Sequence, residues 1–198
     1  MSIALYRRVF EFKVELQGCH PIVWRRFQIG ETSTFFELHC AIQSVMGWDN
    51  YHLHLFEIKD PWTRAKVEIG TPDESVGWEE TCVPSWQVAL NEYFGPKHRQ
   101  ATYVYDFGDG WLHKISLENA WPRDPFVYPR LLEGANRCPP EDCGGPGGYA
   151  DLLEVLKDPE HESYEELLEW AGGSIDPTEF NPSLVRFLDP DLALAYLI

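Results

Sequence analysis

The chain has 198 residues, of which 14% are aromatic and 24% are charged, and its formal net charge is −16. This length is enough for one globular domain with a sizeable core, and the acidity argues against wholesale adhesion to nucleic acid or to an anionic membrane. The five cysteines lack the spacing of a disulfide framework and predict reduced thiols in a cytoplasmic protein. No apolar run approaches the ~20 residues that span a bilayer, so no membrane partner is predicted.

The first quarter of the chain predicts a β-hairpin followed by a helix. Apolar residues alternate with period two over 5–16, and 22–29 read as the return strand after a Cys-His-Pro break. Ser33 or Thr34 can cap the helix, Glu37 follows Thr34 at the spacing of a capping box, and Gly47 is expected to end the helix. The predicted buried stripe of this helix consists of Phe35, Leu38, Ile42, Val45 and Met46.

The middle of the chain predicts further strands and one short helix. Residues 51–60 have apolar side chains on both faces, which indicates a central strand, and a return strand ends near Gly70. Residues 70–84 are expected to form a loop, and 85–94 a short helix that a Gly-Pro pair ends.

The stretch 103–118, YVYDFGDGWLHKISLE, predicts a second hairpin with two alternative registers. A two-residue turn at Asp109 and Gly110 would place Asp106 opposite His113 on one face. A three-residue loop beginning at Gly108, with Gly110 left-handed, would instead bury His113 and move Asp106 to the other face. Burial favours the second register, because it collects seven mostly apolar residues on one side. These are Tyr103, Tyr105, Phe107, Trp111, His113, Ile115 and Leu117.

The last third of the chain is acidic and predicts short helices. Residues 131–198 contain three Lys or Arg and 15 Asp or Glu, a difference of −12. A rigid loop, CPPEDCGGPGGY, precedes the helices. Their predicted ranges are about 149–157, 162–171 and 181–188, with Pro190 as the last stop.

Hairpins first and helices last predict an α+β fold rather than alternating βαβ units. The expected architecture is an antiparallel or mixed sheet built from hairpins, with one long helix packed on it and a C-terminal group of short helices. We predict a single domain over residues 1–198, in which 149–198 form an acidic helical portion.

Histidines are the first candidate metal ligands. His52 and His54 are two residues apart on a predicted strand, so both would face one side, roughly 7 Å apart, and His113 could supply a third ligand. His39 also lies on the inward stripe of the long helix. The competing interpretation is that these are hydrogen-bonded core histidines. Since no complete four-ligand set occurs at a recognisable spacing, no stable metal is predicted in the isolated protein.

The second hairpin and the Pro/Gly loop supply the other candidate site residues. The carboxylates of the two segments are suited to holding a divalent cation or to acid–base work, provided that the fold brings them together. The alternative is that the loop acids favour a helix N-terminus and that the aromatic residues fill the core. The ligand-binding candidates are Asp106, Asp109, Trp111, His113, Glu141 and Asp142.

A local excess of positive charge in the first 30 residues is the remaining candidate surface. This segment contains five Lys or Arg and two acids, Glu11 and Glu15, so its net charge is +3. We expect weak, salt-sensitive contact with DNA at most, and nucleic acid is not predicted as a tight partner. Ordinary strand-surface charge is the preferred interpretation. The nucleic-acid candidates are Arg7, Arg8, Lys13, Arg25 and Arg26.

Several ordered stretches resemble one protein family. They are PIVWRRFQI, LHCAIQSVMGWDNYHLHLFEI, YVYDFGDGWLHKISLE, CPPEDCGGPGGY and DPTEFNP. Together they resemble the plasmid pRiA4b ORF-3-like family over about residues 5 to 188. The resemblance implies a compact α+β domain and relatives that occur on plasmids and near transposons, some with a resolvase label. It implies no particular reaction and no cofactor.

The leading interpretation is therefore a cytoplasmic binding or accessory module of a plasmid- or transposon-associated family. Its partner would be a small molecule or a protein that the sequence does not identify. One alternative is a metal-dependent enzyme that uses the inward histidines and the acidic loop. Another is a DNA-associated accessory protein that uses the basic N-terminal hairpin.

Overall fold

A computed structural model describes residues 6–72 and 82–197, and within them one sheet of eight strands forms the centre of the fold. The strand order is β5-β4-β3-β6-β7-β1-β2-β8. The β4–β5 pair is parallel, and the other neighbours are antiparallel. The strands are β1 (Arg8–Leu16), β2 (Trp24–Gly30), β3 (His54–Lys59), β4 (Lys66–Gly70), β5 (Val83–Pro84), β6 (Gln100–Tyr105), β7 (Trp111–Pro122) and β8 (Arg130–Ala135).

One long helix and several short ones accompany the sheet. The α-helices are α1 (Phe35–Met46), α2 (Leu90–Tyr93), α3 (Gly145–Val155), α4 (Tyr164–Trp170) and α5 (Pro190–Leu197). Short 3-10 turns occupy Ser85–Gln87 and Pro182–Leu184. The predicted α+β class, with a mixed sheet, one long helix and C-terminal short helices, is confirmed. Within the described ranges, no helix combines the length and the apolar character needed to cross a membrane.

The predicted first hairpin and long helix are confirmed in detail. Thr34 Oγ1 accepts a hydrogen bond from the Glu37 amide at 3.1 Å, and Glu37 Oε2 accepts one from the Thr34 amide at 2.6 Å. Gly47 ends α1 with φ of 87°. All five residues of the predicted stripe are buried and join the core cluster beneath the sheet. Leu5, at the start of the predicted first strand, and residues 73–81 of the predicted loop lie outside the described residues.

The start of β3 corrects one prediction. The strand begins at His54 rather than before His52, because the preceding amides are bonded elsewhere. The amides of Tyr51 and His52 donate to the Tyr105 hydroxyl, at 3.1 and 3.4 Å, instead of to a neighbouring strand. His52 and His54 therefore do not share a strand face. As predicted for a central strand, β3 has a neighbour on each side.

The hairpin between β6 and β7 has the predicted faces but a longer loop. Tyr105 pairs with Trp111, so the loop comprises residues 106–110, and the predicted three-residue loop is wrong. Asp106 leaves the β6–β7 ladder with φ of 54°, and its carbonyl oxygen accepts the Gly110 amide at 2.6 Å, which closes the loop. The observed pairing differs from the predicted register by an even number of residues, so the strand residues keep their predicted faces. Gly110 is left-handed, as predicted.

The longer loop changes the predicted surroundings of three side chains, those of Asp106, Phe107 and His113. His113 is fully buried, as predicted, whereas Phe107 belongs to the loop and is 38% exposed instead of facing the core. The opposite partner of His113 is Tyr103, so the alternative register, which places Asp106 opposite His113, is not found either. Asp106 does not lie on the outer face of the strand as predicted, since the strand ends at Tyr105.

The C-terminal helices are confirmed in kind, with different boundaries. Helix α3 begins at Gly145, inside the predicted loop, and the predicted helix over 181–188 is reduced to one 3-10 turn. Pro190 begins α5 instead of ending a helix. Proline suits the first helical position, and Asp189 Oδ1 accepts the Asp191 amide at 3.0 Å there. Strand β8 was not predicted.

Candidate cation site between two loops

The candidate site lies where the start of β3 meets the end of β6. His54 pairs with Tyr105 across these antiparallel strands, so His52 and Asp106 emerge side by side just beyond the ladder. His52 Nε2 lies 3.7 Å from Asp106 Oδ2 and 3.0 Å from Asp142 Oδ1. The three potential ligand atoms all lie within 4.8 Å of one another. Three separate segments thus converge on one point.

The two aspartates lie on loops in an uncommon backbone conformation, and the Asp142 side chain is exposed whereas that of Asp106 is not. Asp106 is 7% exposed, and its Oδ1 accepts the Gly108 amide at 2.9 Å. Asp106 and Asp142 have φ of 54° and 58°, in the left-handed region that aspartate tolerates better than most residues. Residues in such conformations are enriched at ligand-binding loops.

The imidazole of His52 has an unpaired nitrogen. Its Nε2 is buried and has no hydrogen-bond partner among the described residues, although Asp142 Oδ1 is only 3.0 Å away. The contact is therefore close without having hydrogen-bond geometry. Buried polar atoms are rarely left without a partner, so this nitrogen is available for another ligand.

Glu141 ties the second loop to the sheet. The Tyr105 hydroxyl donates to Glu141 Oε1 at 2.5 Å, and the Asp49 amide donates to Oε2 at 2.6 Å. Burial and the neighbouring carboxylate raise the pKa of Tyr105, so the phenol stays protonated and remains a donor. Both oxygens of Glu141 are engaged, so this side chain fixes the loop at the residue next to Asp142.

Asp109 joins the two loops from the other side. Its Oδ2 accepts the Gly144 amide at 3.2 Å. The Asp109 carbonyl lies so close to Gly145 that a Cβ at that position would be 2.3 Å from the oxygen. The sequence-predicted acids are thus brought together but divide in role: Asp106 and Asp142 face His52, whereas Asp109 and Glu141 fasten the loops.

Trp111 and His113, also predicted as ligand-binding candidates, belong to the core. Both are fully buried, and the Trp48 ring packs on them with centroid distances of 5.6 and 5.4 Å. His113 Nδ1 lies 3.1 Å from Trp111 O. Burial lowers the pKa of His113 to about 4, so the ring is neutral at ordinary pH.

The predicted histidine set is not brought together. His54 stacks on His39, with centroids 3.7 Å apart and planes 9° apart, and its Nε2 lies 3.1 Å from Ser85 Oγ. His54 and His113 are core residues, and His113 Nε2 also has no hydrogen-bond partner among the described residues. Neither ring belongs to the cluster of ligand atoms, so His52 alone of the three reaches the carboxylates. The spacing argument failed because His52 precedes the strand, which a period-two pattern does not reveal.

Arg25, a nucleic-acid candidate, is a core residue. It is 1% exposed, and the Phe180 ring lies 3.7 Å from its guanidinium carbon. Burial lowers its pKa to about 10. The guanidinium donates to four main-chain carbonyl oxygens at 2.8–2.9 Å, those of Trp24, Val45, Ala135 and Asn136.

The other cations of the first hairpin are engaged with carboxylates or lie at its edge. Arg26 contacts Glu118 at 2.6 Å and Glu133 at 2.5 Å. Arg8 pairs with Glu31 at 2.9 Å, Lys13 pairs with Glu15 at 2.5 Å, and Arg7 is exposed just before β1. The candidate basic surface of the first 30 residues is therefore not continuous and unneutralised within the described residues.

An apolar cavity of about 590 Å³ adjoins the candidate site. His52 belongs to its wall, so one side chain is shared by the cavity and the acidic pair. Helix α1, the segment 49–54 and helix α5 supply the other walls. The larger apolar and aromatic lining residues are Phe36, Tyr51, Leu188, Leu192 and Tyr196.

Comparison with known proteins places the chain in a family. The model of the plasmid pRiA4b ORF-3-like protein family matches residues 8–184. This chain belongs to that family. It is 40% identical over 187 residues to the uncharacterized protein y4hQ of Sinorhizobium fredii (strain NBRC 101917 / NGR234), covering 93% of this chain and 92% of the relative.

A solved structure of the same fold supports the assignment. The crystal structure of the protein of unknown function MM3350 from Methanosarcina mazei Go1 is similar, with a TM-score of 0.84 and 42% identity. The match covers 92% of this chain and 99% of that chain. The relatives assign the family and the fold, and they attach no activity to either.

Proposed function

We propose that this protein is a small-molecule-binding module whose site is built around a divalent cation held by His52, Asp106 and Asp142. The observation that carries the proposal is the convergence of the three ligand atoms within 4.8 Å. The unpaired, buried Nε2 of His52 supports it independently, because a cation would satisfy that nitrogen and relieve the repulsion between the two carboxylates.

The donor set favours a particular class of cation. One imidazole and two carboxylates suit zinc, manganese, iron or cobalt, whereas calcium prefers six to eight oxygen ligands. Three protein ligands leave coordination positions open. An oxygen of a bound molecule would occupy such a position.

The adjoining cavity provides the second half of the site. A volume of about 590 Å³ lies in the usual range for small-molecule pockets. Its walls are largely apolar, and His52 connects it to the carboxylates. The combination favours an organic molecule with an apolar body and an oxygen-donor head group that reaches the cation.

Cation-dependent hydrolysis is the second candidate function. An open coordination position beside carboxylates is the arrangement in which a bound water loses a proton near neutral pH. The candidate residues are the same three, and the nearby Tyr105 hydroxyl, whose proton is donated to Glu141, would only hold the loop that carries Asp142.

The test begins with protein stripped of cations by a chelator and titrated calorimetrically with Zn²⁺ and with Mn²⁺. One equivalent per chain is expected to bind. His52→Gln and Asp142→Asn should each weaken binding by about 10- to 100-fold. His161→Gln and Asp151→Asn are matched controls, since both residues are exposed and outside the site.

Two results would overturn the proposal. One is the absence of binding at cation concentrations up to about 1 mM, three decades above an ordinary micromolar site. The other is stoichiometric binding that survives both His52→Gln and Asp142→Asn in folded protein, as judged by circular dichroism.

A further inference from the structure

The outward face of the sheet carries a concentration of positive charge that opposes the acidity of the whole chain. Four of the six lysines in the sequence line one groove of about 800 Å³, together with Arg64 and Arg99. Among the described residues, Glu57 is the one acidic residue that lines the groove. The lysines are Lys59, Lys66, Lys97 and Lys114.

Strand register explains how residues far apart in sequence meet here. Lys59 and Lys66 are directly opposite each other on β3 and β4, and Lys114 of β7 is opposite Thr102 of β6. Like charges placed directly across a ladder destabilise a sheet. Glu57 and Glu68 neutralise Lys66 at this point, so within the described residues Lys59 is the member of the pair without a carboxylate.

Three of the lysines have no carboxylate partner in the part of the chain that the structure describes. Lys66 contacts Glu57 and Glu68. No ion pair of Lys59, Lys97 or Lys114 is found within residues 6–72 and 82–197, and all three are exposed. Three unneutralised ammonium groups on one groove suit a ligand with several negative charges.

The arginines of the groove are held in place by other groups. Arg64 Nη1 lies 3.1 Å from His98 Nδ1, and Arg99 Nε donates to Leu117 O at 2.8 Å. These contacts engage part of each guanidinium without cancelling its charge. The fixed arginines therefore raise the positive potential around the three exposed lysines.

A prominent aromatic side chain stands next to the cations. Trp62 is 80% exposed, on the turn that also carries Arg64. It lines a neighbouring recess that shares Lys97 and His98 with the groove. An exposed indole beside several cations is an arrangement that can stack a planar ring whose phosphates contact the lysines.

We propose that this groove binds a nucleotide-sized organic phosphate. Its phosphates contact Lys59, Lys97 and Lys114, and its planar ring packs on Trp62. A compact ligand is favoured over a nucleic acid strand, because a long polyanion would extend over a body whose net charge is −16. The groove is separate from the site of His52, and its occupant does not depend on a cation there.

The experiment titrates ATP into the full-length protein by calorimetry in low salt, with a chelator present so that the cation site stays empty. Lys59→Gln combined with Lys114→Gln is expected to weaken ATP binding by about tenfold. Lys13→Gln combined with Lys157→Gln removes the same amount of charge outside the groove. This double variant is expected to leave the affinity for ATP nearly unchanged. Trp62→Ala should weaken ATP but not tripolyphosphate.

Four results would overturn the proposal. One is the absence of ATP binding at millimolar concentration. Another is equal weakening of ATP binding by the two double variants, which would indicate that ATP responds only to the overall charge of the protein. Tripolyphosphate binds as tightly as ATP irrespective of Trp62, which would leave an anion site without ring recognition. A single-stranded oligonucleotide binds more tightly than ATP at physiological salt, which would assign the groove to nucleic acid.

Discussion

The hydroxyl of Tyr105 donates a 2.5 Å hydrogen bond to the Glu141 carboxylate and thereby joins the last residue of β6 to the loop before α3. The same oxygen accepts the Tyr51 amide at 3.1 Å, so one hydroxyl connects the sheet, the approach to β3 and the acidic loop. His52 and Asp142 each lie next to one of these bonded residues. The geometry of the candidate cation site therefore depends on a residue that is not a ligand.

Replacing this hydroxyl should loosen the site. Tyr105→Phe removes the bond to Glu141, and we expect the free energy of unfolding to fall by about 1–3 kcal/mol. Cation affinity should fall by about 10-fold, because Asp142 is no longer positioned. Denaturant unfolding measures the first effect and calorimetric cation titration the second.

Tyr128→Phe is the matched control for this change. Tyr128 also donates to a carboxylate, that of Asp124, at 2.6 Å, but it does so on the connection between β7 and β8. It should leave cation affinity unchanged. Equal loss of affinity in both variants would contradict the positioning role of Tyr105.

The features predicted correctly from the sequence are those that depend on residues close together in the chain. The capping box at Thr34, the end of α1 at Gly47 and the burial of His113 follow from neighbours in the chain, and all are confirmed. The meeting of His52 with Asp106 depends on β3 pairing with β6, about 50 residues away. Alternation within one strand contains no information on which strand is its neighbour.

The positions of the charged side chains in the folded protein also could not be predicted from local sequence patterns. The cations that cluster in sequence are dispersed by the fold, since Arg25 turns inward and Arg26 meets two carboxylates. The cations that cluster in space, such as Lys59 and Lys114, come from different strands. Only the register of the sheet brings them to one groove.

Arg25 should be among the most sensitive positions for stability. Arg25→Gln leaves buried carbonyl oxygens without donors and removes the contact with Phe180, so we expect a loss of about 3 kcal/mol or more. Arg26→Gln, on the neighbouring residue, should cost about 1 kcal/mol or less, because its ion pairs are at the surface. Urea unfolding of both variants measures the difference, and similar costs would refute the structural role given to Arg25.

The close approach of the two loops should be visible at Gly145. Gly145→Ala places a Cβ against Asp109 O in a residue whose φ is 69°, and we expect a loss of about 2 kcal/mol or more together with weaker cation binding. Gly147→Ala, two residues on in α3, meets nothing within 4 Å and should be neutral or stabilising by up to about 1 kcal/mol. Thermal and urea unfolding test the pair. Equal tolerance of both substitutions would show that the loops are not packed as described.

Buried neutral histidines should make the protein acid-sensitive. Burial lowers the pKa of His39 to about 3 and that of His113 to about 4, from 6.5. Between pH 6.5 and about 4 the unfolded chain therefore binds protons that the folded protein does not, and stability falls as the pH falls, by about 1.4 kcal/mol per pH unit for each histidine. Urea unfolding at several pH values, with a chelator present, measures the slope.

His113→Phe should reduce the slope by about 1.4 kcal/mol per pH unit, whatever its effect on stability at neutral pH. His161→Gln, at an exposed position, should leave the slope unaltered. A slope that His113→Phe does not change would show that this imidazole is protonated in the folded protein, contrary to its burial.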